Sequence, residues 1–157
     1  MVPSGNSVAV SNLLRLGAFT SDDAYRQKAE AAILGSAGTM KRSPRSATKM
    51  LSALDFKNDL PKEIVIVKPS PEADAGPLLE KIRTTYVPNK VLVVITEGDE
   101  ADALAKLVPL AKGKVALEGR PTAYVCEKQV CALPTSDPEV FEKQIARVRK
   151  YSEMEGL

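Results

Sequence analysis

Cys126 and Cys131 are the only cysteines in the chain, and their spacing gives them a shared chemistry. They fall within Gly119 to Pro134, a stretch that reads as a β-hairpin entered through Pro121. Thr122 to Val125 suit one strand and Val130 to Leu133 its return. If Lys128-Gln129 forms a two-residue turn, Glu127 faces Val130 and Cys126 faces Cys131. The thiols then form a directly opposed, non-hydrogen-bonded pair with Cα atoms roughly 4.5 Å apart. That spacing lies at the short end for a disulfide, so a bond there is expected to be strained and reducible. Three uses of the pair stay open: two small buried residues, a reversible redox-sensitive disulfide, or a catalytic thiol. The third lacks a nearby base or helix end to activate it.

Other chemistries lack their residues. The chain has no histidine, which removes imidazole bases, Ser-His and Cys-His pairs, and the commonest transition-metal ligand. Two thiols alone cannot complete a structural zinc site, and no metal or cofactor is expected. Gly35 to Lys41 echoes a phosphate loop but has the wrong spacing and no strand before it, so it reads as a helix tail. Asp99, Glu100 and Asp102 fall at a helix N-terminus, where acids are favoured by the helix dipole.

The elements that must position the pair change character along the chain. From Ser4 to Phe56 the apolar spacing is helical. One stripe runs through Val10, Leu13, Leu14 and Gly17. A second, after Ser21-Asp22-Asp23, holds Tyr25, Ala29, Ala32, Ile33, Ser36 and Met40. A third holds Ala47, Met50, Leu51 and Leu54. These faces are rich in Ala, Gly and Ser and bury little area, so they call for more protein against them. After Lys57 come apolar strands at Glu63 to Lys68 and Lys90 to Thr96. Between them a helix opened by Gly76-Pro77 carries Leu78, Leu79, Ile82 and Tyr86 on its core side. The next helix carries Leu104, Leu107, Val108 and Ala111. A last one, capped by Asp137-Pro138, carries Val140, Phe141, Gln144, Ile145 and Val148.

The expected fold class is therefore α/β, with residues 1–57 a helical segment and 58–157 a β-α-β-α-β-β-α module. That order is the thioredoxin arrangement, which makes Pro121 a candidate cis proline before the third strand. A thioredoxin carries Cys-x-x-Cys at its first helix, and the corresponding Ser70 to Gly76 has no thiol.

A net charge of +2 offers no case for nucleic acid, and the Lys41, Arg42, Arg45, Lys49 cluster reads as a solvated helix end. The longest apolar runs, such as Val91 to Ile95, are far too short to span a bilayer. No signal peptide is evident, so a reducing, cytoplasmic setting with free thiols is the expectation.

Pro3-Ser4-Gly5-Asn6-Ser7 reads alone as a turn that caps a helix. It is followed by Asn12 to Leu16, Tyr25 with Ala29-Glu30, Met50-Leu51 with Ala53-Leu54-Asp55, and Gly119 to Cys126 with Cys131 and Pro134. This combination resembles the C-terminal end of the YyaL-type, spermatogenesis-associated thioredoxin-domain-containing family. The resemblance implies a longer parent: a thioredoxin-like domain, an α/α barrel similar to N-acylglucosamine 2-epimerases and six-hairpin glycosidases, then a segment like this one. The helical segment would be closing helices of that barrel, and the chain a truncated gene product, the product of a split gene, or a cut piece. Ser4 and Asn6 would line the sugar pocket, offering hydroxyl and amide groups. The related epimerases use histidine, so any catalytic acid or base would come from the rest of the parent, and the segment is expected to be inactive alone. Its expected partners are a sugar in the intact barrel and either the remaining part of the parent or a second copy. The rival reading is a non-catalytic thioredoxin-like interaction or redox-responsive module worked by the cysteine hairpin and the Pro121 corner.

Overall fold

The computed structural model describes residues 2–59, 61–128 and 130–146, with backbone alone at Glu100. Gln129 of the expected turn and Val148 of the last stripe lie outside them.

Three helices come first: α1 (Gly5–Thr20), α2 (Asp23–Arg42) and α3 (Thr48–Asn58), the last entered through a 3-10 turn at Pro44–Ala47. Ser4 caps α1 by accepting a hydrogen bond from the Ser7 N–H at 3.2 Å. Asp22 does the same for α2 through the Ala24 N–H at 2.8 Å. The three expected stripes meet in a small core of Val10, Leu14, Ala29, Ile33, Met40, Met50 and Ala53. Small residues let these helices pack closely but leave Leu34 and Leu16 facing outward.

The second part contains β1 (Lys62–Lys68), α4 (Gly76–Thr84), β2 (Lys90–Thr96) and α5 (Asp99–Leu107). A 3-10 turn at Pro109–Ala111 leads through a loop to β3 (Thr122–Glu127), β4 (Val130–Cys131) and α6 (Pro138–Ala146). The mixed sheet has the order β2-β1-β3-β4. β1 runs parallel to β2 and antiparallel to β3, and β4 returns antiparallel on β3.

β1 is covered on both faces, which explains its unbroken aliphatic run. Ile64 and Ile66 join Leu78 and Ile82 of α4 and Phe141 and Ile145 of α6 on one side. Val65 and Val67 join Val93, Ile95 and Ala111 on the other, with Phe19 of α1 and Leu104 of α5 against them. The helical segment thus closes part of the second face. Asn89, buried, donates to Asp55 Oδ2 at 2.9 Å and Asp59 Oδ2 at 2.8 Å, and Arg15 donates to the Lys90 carbonyl at 3.2 Å.

Several expectations need correction. Tyr86 is exposed because α4 ends at Thr84, before its stripe reaches that residue. Leu107 is exposed at the last turn of α5, while Val108 caps that helix and Ala111 belongs to the 3-10 turn that follows. The cis bond expected before Pro121 is absent, since no described peptide bond is cis. The chain reverses one step earlier, at Glu118-Gly119, both with positive φ, and Arg120 N–H closes that turn on the Leu117 carbonyl at 3.0 Å. Pro121 then needs only to lead into β3.

Candidate functional site

The hairpin register is the one the sequence implied, with Cys126 opposite Cys131 and Glu127 opposite Val130. Ala132 N–H donates to the Val125 carbonyl at 2.9 Å, so residues 125 and 132 are the hydrogen-bonded pair and the cysteines the close, non-bonded one. The two cysteines are joined by a disulfide with Cα atoms 3.9 Å apart. Free thiols, the expectation from composition, are therefore not the state of the structure. The two sulfur-bearing residues differ in access: Cys126 is 2% exposed, whereas Cys131 lies on the exposed two-residue edge strand.

Cys126 and Cys131 line a cleft of about 730 Å³ between the helical segment and the sheet. Leu14, Ala18, Phe56 and Leu110 supply apolar wall. Arg26, Lys57, Lys114 and Lys128 bring cations to it, and Glu30, Asp59 and Glu63 bring carboxylates. Some charges are already paired: Lys57 with Glu30 at 3.3 Å, and Arg26 with Asp23 at 3.0 Å.

Glu63 is the residue sequence reasoning missed. It stands directly opposite Cys126 in the β1–β3 register, so both side chains project from the same face of the sheet. Burial pushes its carboxyl above the ordinary range, opposed by the Arg26 and Lys114 cations. Burial pushes the Lys114 ammonium down, with Glu63 pulling it back up, and its Nζ lies 5.6 Å from the Tyr124 ring centre. One position earlier, the buried Lys62 forms an ion pair with Glu127. A carboxyl opening an otherwise apolar strand was the available signal, but its cross-strand partner depends on a register the sequence does not display.

Ser4 and Asn6 meet in another, smaller cleft of about 270 Å³. It lies at one end of the helical segment, where the start of α1 meets the last turns of α2 and the start of α3. Ser7, Ser36, Thr39, Ser46 and Thr48 line it with them. Ser7, Ser36 and Ser46 donate their hydroxyls to the Ser4, Ala32 and Ser43 carbonyls, which leaves oxygen lone pairs as acceptors. Pro121 lines neither cleft. Among the described residues no group of His, Cys, Asp or Glu could hold a metal ion, and no helix is long and apolar enough to cross a membrane.

With this geometry in place, comparison with known proteins locates the chain. It is similar to Spermatogenesis-associated protein 20. The protein of that name from Homo sapiens is 35% identical over 136 residues, covering 87% of this chain and 17% of the relative. Those from Mus musculus and Rattus norvegicus are 34% and 33% identical over the same span. The match is to the C-terminal part of Spermatogenesis-associated protein 20, so the chain spans about a sixth of the length of these relatives. No family profile and no solved structure matches the chain.

Proposed function

We infer that the chain works as the C-terminal segment of a carbohydrate-processing protein in which α1 to α3 close an α/α barrel around a sugar. The observation that carries this reading is the meeting of Ser4 and Asn6 in a hydroxyl-rich cleft at one end of the helical segment. Barrels of helices place their pockets at such ends, and hydroxyl and amide groups suit a polyol. The outward Leu34 and Leu16 are in keeping with helices covered by further protein in the parent. The match to a sixth of a longer protein is in keeping with it too.

The segment supplies positioning rather than reaction. It brings no histidine of the kind the related epimerases use, and Ser4 and Asn6 bind a sugar without supplying an acid or base to react with it. The α/β module is thioredoxin-like without the Cys-x-x-Cys site. The strand order β2-β1-β3-β4, with α4 and α6 on one face and α5 on the other, supports that reading. Isothermal titration of sugars against the longer parent protein tests the proposal: binding weakened by Asn6→Ala supports it, and no binding opposes it.

A second reading is favoured by the closed Cys126–Cys131 disulfide: the module is redox-responsive. Alkylation and mass spectrometry before and after mild reduction test it. Cysteines alkylated in full without reductant, and after peroxide, would oppose it.

A further inference from the structure

Two facts about the hairpin combine. Cys131 is exposed while Cys126 is buried, so a nucleophile reaches the disulfide at Cys131 and expels Cys126 as the leaving sulfur. The residue directly across the sheet from Cys126, on the same face and lining the same cleft, is Glu63. A thiolate left in that buried position beside apolar wall is costly, and a proton delivered to it removes the cost. We propose that Cys126–Cys131 is an exchange site for a small carboxylate-bearing thiol that enters the cleft, and that Glu63 hands the departing Cys126 sulfur its proton.

This rests on the redox-responsive reading and adds the reductant class and the proton donor. The small thiolate attacks Cys131 Sγ, forming a mixed disulfide. The Cys126–Cys131 bond breaks with its electron pair on Cys126 Sγ, which takes the Glu63 carboxyl proton. A second thiolate attacks the small-molecule sulfur, releasing a small-molecule disulfide, and Cys131 leaves as a thiolate that water protonates. Two thiols are oxidised and the protein disulfide gains two electrons.

The charged groups that line the cleft with Glu63 favour this assignment. Arg26 and Glu30 approach from α2, Lys57 from α3, Asp59 from the loop after it, Lys114 from the loop before β3 and Lys128 from the hairpin turn. Four cations face three carboxylates along that lining, which favours an anionic reductant. Partial burial raises the Glu63 pKa above the ordinary carboxylate value, against the pull of Arg26 and Lys114.

The test follows disulfide opening by glutathione in the whole chain, with quenched alkylation, across pH, each rate divided by thiolate concentration. Below the Glu63 titration, Glu63→Gln should open roughly a hundredfold more slowly than the unaltered protein, the low end for a positioned acid. As pH rises the deficit should vanish, because the carboxylate has lost its proton and repels the leaving thiolate. A merely structural role gives a ratio that does not change with pH, and that result overturns the proton assignment. Should the variant fail to fold, the unaltered protein decides: its corrected rate should fall through the Glu63 titration, and a flat profile overturns the claim. Glutathione should outpace neutral 2-mercaptoethanol at equal thiolate; equal rates overturn the carboxylate-bearing class. Cysteines free before any reductant is added would sink the redox reading itself, a separable outcome.

Discussion

Glu63 faces Cys126 across the β1–β3 ladder, on the side of the sheet turned to the helical segment. The next pair along, Lys62 and Glu127, forms an ion pair. Alternation along one strand thus separates a compensated charge from a carboxyl whose burial is only partly offset.

That difference predicts a pH signature in stability. Glu63 has a raised pKa when folded, so the folded chain binds its proton more tightly than the unfolded chain does. Its contribution is full below the unfolded value, about 4.3, and is lost as pH rises through the folded one. Urea midpoints of the unaltered protein should fall relative to those of Glu63→Gln over that window. Parallel profiles would refute the assignment.

Asn89 ties α3 to the sheet by donating to both Asp55 and Asp59. Asn89→Ala should cost about 1–3 kcal/mol, the range for depriving buried polar partners of a hydrogen bond. Denaturant titration checks this. An unchanged midpoint would mean that the two Asn89 hydrogen bonds add nothing to the docking of the helical segment.

Ser4 caps α1 while lining the hydroxyl-rich cleft. Ser4→Ala should destabilise the chain by about 0.5–2 kcal/mol, as lost caps do. Thermal melts would register the change, and Ser4→Asp should restore most of it.

Phe141 is fully buried among α4, α6 and the sheet. Phe141→Ala should cost about 3–5 kcal/mol. Hydrogen exchange should then rise in β1 and β3 before it rises in α1 to α3, whose core is separate. Equal loss of protection throughout would show that the two cores open together.

Much of the fold was legible because local signals agreed. Asp137-Pro138 capped a helix as read, with Glu139 N–H donating to Asp137 Oδ1 at 2.8 Å. Ile64 to Val67 announced a strand covered on both faces, and the hairpin spacing set Cys126 against Cys131. What failed depended on where elements stop. Tyr86 continued a helical stripe on paper, but α4 ends two residues earlier and points it to solvent. The bend before β3 is made by Glu118-Gly119, so the proline beside it carries no reversal. The cleft itself was illegible, because it joins α1, α2 and α3 to β1, β3 and the hairpin through contacts far apart in sequence.

Sugar binding in the parent protein tests the central claim most directly. Thermal shifts with a panel of hexoses and N-acylhexosamines should be absent for the 157-residue chain alone and present when it is joined to the rest of its parent. Asn6→Ala in the joined protein should weaken that binding roughly tenfold, the worth of one hydrogen bond at about 1.4 kcal/mol. A joined protein that no sugar stabilises, or one stabilised equally with and without the Asn6 amide, would contradict the account.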